Sequence, residues 1–261
     1  MKAIASILLL SAVTFAAAGC ASETTNDAIE STVAQLSSQL SPAELSATKA
    51  ALRAAANANM TRSDNFVSVR AQVDPIVDKL ARHFGTRPAS EKVPLVAGAW
   101  RQLWSDYPYP MSRFLKMDPR QVYQVVSDDG HYWNIGDQRA LGIFGMTGVL
   151  RGQYELNGTK LNIQFTDVGY RFGRLSRREN LVSFADGLES GDRFYLPIPG
   201  GGQAPRGPVG IRGTLETLYV DQDLRIERGT QEDFLDEAGR VLVEGYGPKL
   251  FILDRVTSPV K

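Results

Sequence analysis

Residues Gly213–Gly229 read GTLETLYVDQDLRIERG, and Pro248–Arg255 read PKLFILDR. The first stretch has the chemistry of two strands and a turn. Leu215, Thr217 and Tyr219 alternate with Glu216, Leu218 and Val220, as residues on opposite faces of a strand do. Asp221-Gln222-Asp223 suits a turn, because Asp side chains bond nearby backbone and tolerate unusual dihedrals. Leu224, Ile226 and Arg228 then share one face, and Arg225 and Glu227 the other. The pair predicts a β-hairpin, and Leu250–Leu253 supplies a further, wholly apolar strand.

Working outward, the chain is read as mainly β with N-terminal helices. Helical spacing joins Ile29, Val33, Leu36 and Leu40, and again Val69, Val73, Ile76, Leu80 and Phe84. Ser41-Pro42-Ala43-Glu44 is a helix start, with a Ser cap, Pro at the first position and Glu three residues after the cap. Asp74-Pro75 predicts either a fresh cap or a kink. His83, near a helix end, is read as a favourable charge on the helix dipole. The bland reading of these helices is a packing layer.

From Pro94 the pattern becomes that of strands. Candidates are 99–105, 121–126, 131–135, a long glycine-broken strand within 141–156, 160–165, 170–172, 181–184 and 193–196. Asp128-Asp129-Gly130 marks one turn, and Asn157-Gly158 is the best hairpin signal in the chain. Residues 197–208 are rich in Pro and Gly and predict an exposed loop. Many short antiparallel strands predict a sandwich or a barrel.

Lys plus Arg number 29 and Asp plus Glu number 29, so charge suggests no nucleic-acid partner. One cysteine and two histidines exclude a disulfide framework, a Cys-based zinc site and a histidine-rich metal site. No metal ligand set or cofactor motif is read. The Gly-x-Ser-x-Gly elbow is absent, and Gly200-Gly201-Gly202 does not continue into Gly-Lys-Ser/Thr. Asp128-Asp129-Gly130-His131 could hold a base, but a turn before a strand explains it more simply.

The first residues carry a targeting pattern. Lys2 precedes an apolar run from Ile4 to Phe15, too short to span a bilayer comfortably. Ala17-Ala18-Gly19-Cys20 then resembles a bacterial lipobox, in which the cysteine is lipidated and becomes the mature first residue. The resemblance implies a signal peptide over 1–19, a tether over 20–27, and a lipid anchor on Cys20. Each buried methylene of an anchor adds about 0.8 kcal/mol, and more than one acyl chain holds stably. Ala21 after the cysteine implies outer-membrane sorting and a periplasmic-face location in a cell envelope.

A Tyr219-x-Asp221-x-Asp223-Leu224-Arg225-Ile226-x-Arg228-Gly229 run, closing on Leu250 to Arg255, resembles the C-terminal signature of the plastid lipid-associated (PAP/fibrillin) family. Gly98-Ala99-Trp100-Arg101-Gln102-Leu103-Trp104 resembles that family's first strand, and Val122-Tyr123-Gln124 with Asn134-Ile135 its second motif. One departure is clear: in the family the last strand follows Arg-Gly almost at once, whereas here 230–247 intervenes, as a long loop or an extra hairpin. The resemblance implies a helical region over 28–93 and, over 94–261, a lipocalin-like antiparallel β-barrel. It also implies a hydrophobic small molecule as partner: a lipid, isoprenoid quinone or carotenoid.

An eight-stranded barrel is about wide enough for one small ligand. Trp100, Tyr123, Tyr219 and Phe251 are the candidate aromatic wall, since each lies in a strand with a family-like motif. Arg228 is the candidate for a polar head group, because it shares a face with Leu224 and Ile226; Arg225 is then expected outside with Glu227. Asp221, Asp223, Arg225 and Arg228 read either as polar groups at a ligand cavity or as ion pairs that close the barrel. The preferred function is non-enzymatic binding by an envelope lipoprotein. Two alternatives stay open: an interaction lipoprotein with a filled barrel, and an enzyme acting on a lipid.

Overall fold

The computed structural model describes residues 39–59, 66–107, 115–140, 144–175, 180–189, 196–197, 209–236 and 238–257. Cys20, the targeting run and the helical stripe beginning at Ile29 lie outside them, apart from Leu40.

Helix α1 (Pro42–Asn59) begins at the expected cap. Ser41 Oγ accepts from the Glu44 amide at 3.3 Å, and Glu44 Oε2 accepts from the Ser41 amide at 3.0 Å. This reciprocal box satisfies two otherwise orphaned donors. Helix α2 (Phe66–Gly85) runs through Pro75 without dividing. It buries Val69, Val73, Val77, Leu80 and Phe84. A short α3 (Ala89–Val96) leads to the first strand.

Eight strands close into an antiparallel barrel. In chain order they are β1 (Gly98–Ser105), β2 (Leu115–Val126), β3 (His131–Ala140), β4 (Phe144–Asn157), β5 (Lys160–Phe172), β7 (Arg212–Val220), β8 (Leu224–Gln231) and β11 (Tyr246–Arg255). Neighbours follow chain order around the barrel, and β11 returns to pair with β1, Gln102 opposite Leu253. Closure pairs every strand with a neighbour on each side over part of its length. A two-residue strand, β6 (Leu196–Pro197), pairs with Gly169 and Tyr170 of β5, beyond the part that β7 reaches. The Asn157-Gly158 turn joins β4 to β5, with Gly158 at φ 61°, a conformation glycine adopts freely.

One strand assignment changes, and of the two alternatives for 230–247 the hairpin is the one present. Residues 181–184 belong to a helix, α4 (Leu181–Glu189), not a strand. Asn180 Oδ1 accepts from the amides of Val182 and Ser183 at 3.0 and 3.1 Å, an N-cap that four apolar-rich residues did not reveal. The segment 230–247 is the extra hairpin: β9 (Phe234–Leu235) pairs with β10 (Val241–Val243).

The barrel is covered on two sides. Helices α1 and α2 pack on the outer face of β7, β8, β11 and β1, burying Tyr219, Ile226, Ile252 and Trp104. The Phe84 and Tyr219 rings lie 5.8 Å apart across this layer. Helix α4 covers the outer face of β1 to β4, where Tyr123, Trp133 and Ile135 pack on Leu181, Phe184 and Ala185. Phe251 and Leu253, both buried, lie on the inner face. Among the described residues no helix is long and apolar enough to cross a membrane.

Candidate functional site

The barrel interior is hollow at one end. A cavity of about 370 Å³ lies between the strands, within the range that holds small ligands. Its mouth is set by Tyr107, at the end of β1, and by Gln231 and Tyr246, which flank the β9–β10 hairpin. The Tyr107 and Tyr246 rings are 5.1 Å apart, and Phe251 stacks on Tyr107 at 6.4 Å. Burial pushes both tyrosine hydroxyls up, so they stay neutral over the ordinary pH range.

The cavity exists because two strand residues lack side chains. Gly136 of β3 and Gly148 of β4 are direct cross-strand partners, and both line it. In a barrel of eight strands, side chains at such inward positions normally fill the interior. A Cβ on Gly136 would meet nothing closer than Met117 Cε, at 3.6 Å. A Cβ on Gly148 would lie 2.4 Å from Gln138 Nε2, so Gln138 occupies that side.

Deeper in, the lining is rich in primary amides: Gln102, Gln124, Asn134 and Gln138. Asn134 Oδ1 accepts from the Tyr132 hydroxyl at 2.8 Å. Gln138 Oε1 is buried and has no hydrogen-bond partner among the described residues. Gln124 Oε1 accepts from Arg225 Nη1 at 3.4 Å. Arg225 and Glu227 form an ion pair at 2.6 Å, both fully buried inside the barrel below the cavity. Burial raises the Glu227 carboxyl above the ordinary range, with the Arg225 charge opposing.

No protein-family model matches the chain, and no curated protein matches it in sequence. The site therefore rests on geometry.

The structure separates the four residues expected as an aromatic wall and Arg228, expected at the head group. Phe251 lines the cavity. Trp100 faces inward at the closed end without lining it, its indole N–H donating to the Val96 carbonyl at 2.9 Å. Arg255 lies 4.0 Å over the Trp100 ring, and its guanidinium donates to the carbonyls of Leu95 and Ala97, tying α3 across that end. Tyr123 and Tyr219 face outward, under α4 and α2 respectively. Arg228 is also outside, half-exposed, 3.7 Å from Glu216.

The expected sides of Arg225 and Arg228 are thus reversed. The apolar face of β8 points out, because the helix layer buries Leu224 and Ile226 there. The charged face points in. Nor do the four charged residues form one cluster. Asp221 accepts from Lys49 Nζ at 2.7 Å and from the Tyr219 hydroxyl, and Lys49 also reaches Asp223. Arg53 Nε meets Asp254 at 2.7 Å. These contacts fasten α1 to the β7–β8 turn and to the end of β11. His83 differs as well: its Nδ1 accepts from the Leu40 amide at 3.1 Å, and burial lowers its pKa, so it acts as a neutral acceptor rather than a cation on the dipole.

What the sequence missed is the amide set and the two glycines. A signal existed: Gly136 and Gly148 interrupt strand patterns, where glycine marks a close approach or a missing side chain.

Proposed function

We propose that this protein binds a small hydrophobic molecule in its barrel and is held at a membrane by lipid on Cys20. The observation that carries the binding is the cavity behind Gly136 and Gly148. Its aromatic mouth and amide interior match the usual make-up of a ligand site, apolar with a few placed polar groups. What faces it suits holding a molecule rather than turning one over, so the reading is of a carrier or sensor and not an enzyme. A barrel preceded by helices also suits the PAP/fibrillin resemblance.

Size narrows the ligand. At about 30 Å³ per water-sized group, the space takes on the order of a dozen heavy atoms. That is one ring or one medium chain. A whole carotenoid or a two-chain lipid is too large, although a tail could leave by the mouth.

The test is mass spectrometry of small molecules that co-purify with the full chain, compared with Gly136→Leu. A molecule present in the wild type and lost from the folded variant is the expected result. The same molecules at equal abundance in both would remove the cavity as the site. For the anchor, Cys20→Ala should release the protein from membranes; a variant that still fractionates with them would end that part of the reading.

A further inference from the structure

We propose, resting on the cavity as a binding site, that it accepts an uncharged head group bearing both a hydrogen-bond donor and an acceptor, such as a hydroxyl, and rejects carboxylates. The polar groups around the inner part of the cavity are the amides of Gln102, Gln124, Asn134 and Gln138. A primary amide offers two donors and an acceptor but no charge. The one cation close to this set among the described residues, Arg225, is paired with Glu227 at 2.6 Å. Its link to the cavity passes through Gln124, whose oxygen it engages.

A carboxylate entering this space loses its water and finds no free cation among the described residues. Burying an ion without a partner is far costlier than burying a hydroxyl that finds hydrogen bonds. A hydroxyl finds them. Gln138 Oε1, with no partner among the described residues, can accept its proton, and an amide N–H can donate to its oxygen. The Gln138 oxygen, left unmet within the barrel, calls for a polar guest or water.

The probes are decan-1-ol and decanoate, which share a chain that fits the space and differ in the head. Binding to the full chain is measured by calorimetry at pH 7.5, where decanoate is ionised. The alcohol should bind about 100-fold more tightly. Glu227→Gln leaves Arg225 uncompensated and should gain decanoate affinity at least about tenfold. Should that variant fail to fold, Gln138→Lys puts a cation at the cavity while keeping the 225–227 pair, and should gain in the same way. Decanoate binding the wild type as tightly as the alcohol, or no gain in a folded variant, would overturn the head-group proposal and leave the cavity standing. Neither probe binding the wild type, or both binding Gly136→Leu undiminished, would overturn the cavity reading itself.

Discussion

Gly136 and Gly148 stand opposite each other on adjacent strands, and the space inside the barrel begins where their side chains would be. The two are not equivalent. Gln138 has folded into the room beside Gly148, whereas a Cβ on Gly136 would make only ordinary contacts, with the flexible tip of Met117 and the Gln121 carbonyl. The hollow is a feature of the sequence at two positions, not of the barrel size alone.

Alanine scanning should expose that difference. Neither glycine has a positive φ, so neither is needed for backbone conformation. Gly136→Ala should stabilise by about 0.5–1 kcal/mol, because alanine loses less entropy in a strand. Gly148→Ala must displace Gln138 and crowd Tyr170, 3.3 Å away, and should gain less or lose stability. Urea midpoints of the two variants check the order; equal gains would mean that Gln138 is not seated as described.

The barrel was legible because period-2 alternation and the Asn157-Gly158 turn are local signals. The direction of each face was not. A strand such as β8 shows two faces in sequence, Leu224-Ile226-Arg228 and Arg225-Glu227, without saying which meets the interior. The apolar face is the inner one only when solvent covers the other. Here α1 and α2 cover it, so the apolar face turned outward and the charged pair went inside. Tyr219 and Tyr123 were misplaced for the same reason. The pairing of Gly136 with Gly148 depends on register between strands, which neither strand carries alone.

Arg225 and Arg228 should therefore differ in stability, and in the opposite sense to the sequence expectation. Arg228→Ala removes a loose pair on the surface and should cost less than about 1 kcal/mol. Arg225→Ala strands a buried carboxylate and should cost about 3–5 kcal/mol. Replacing both partners, as Arg225→Met with Glu227→Leu, should recover most of that loss while keeping the barrel. Denaturation of the singles and the double forms the check; a double as unstable as Arg225→Ala would show that the pair itself is required.

The helix layer should behave as part of the core rather than as an appendage. Leu80, on α2, is fully buried between helix and barrel. Leu80→Ala should cost about 2–5 kcal/mol, from lost burial and the void left behind. Val67, on the same helix and 84% exposed, should tolerate Ser within about 0.5 kcal/mol. Equal tolerance at both positions in thermal unfolding would mean that α2 does not stay docked.

Acid should act first on the joint between α1 and the β7–β8 turn. Burial pushes the Asp221 carboxyl up, but hydrogen bonds from its turn, from Lys49 and from Tyr219 outweigh it and hold the group well below its ordinary 3.8. For a lowered carboxyl the unfolded chain binds the proton first. Its stabilisation is full above about pH 5, and is lost as pH falls through 3.8 toward the folded value. Glu227 has the opposite sign: its raised carboxyl favours the folded state most at low pH, and that contribution is lost as pH rises through its folded value. The two oppose each other in acid, so wild-type stability alone does not isolate either. Asp221→Asn does. It should cost about 1–3 kcal/mol at pH 7 and clearly less at pH 2.5, so the two curves converge as pH falls without yet meeting. Lys49→Ala should show the same convergence with a smaller gap, since Tyr219 still donates to Asp221. Urea midpoints across pH 7 to 2.5 make the measurement. A gap that stays constant with pH would show that Asp221 holds the helix through something other than its charge.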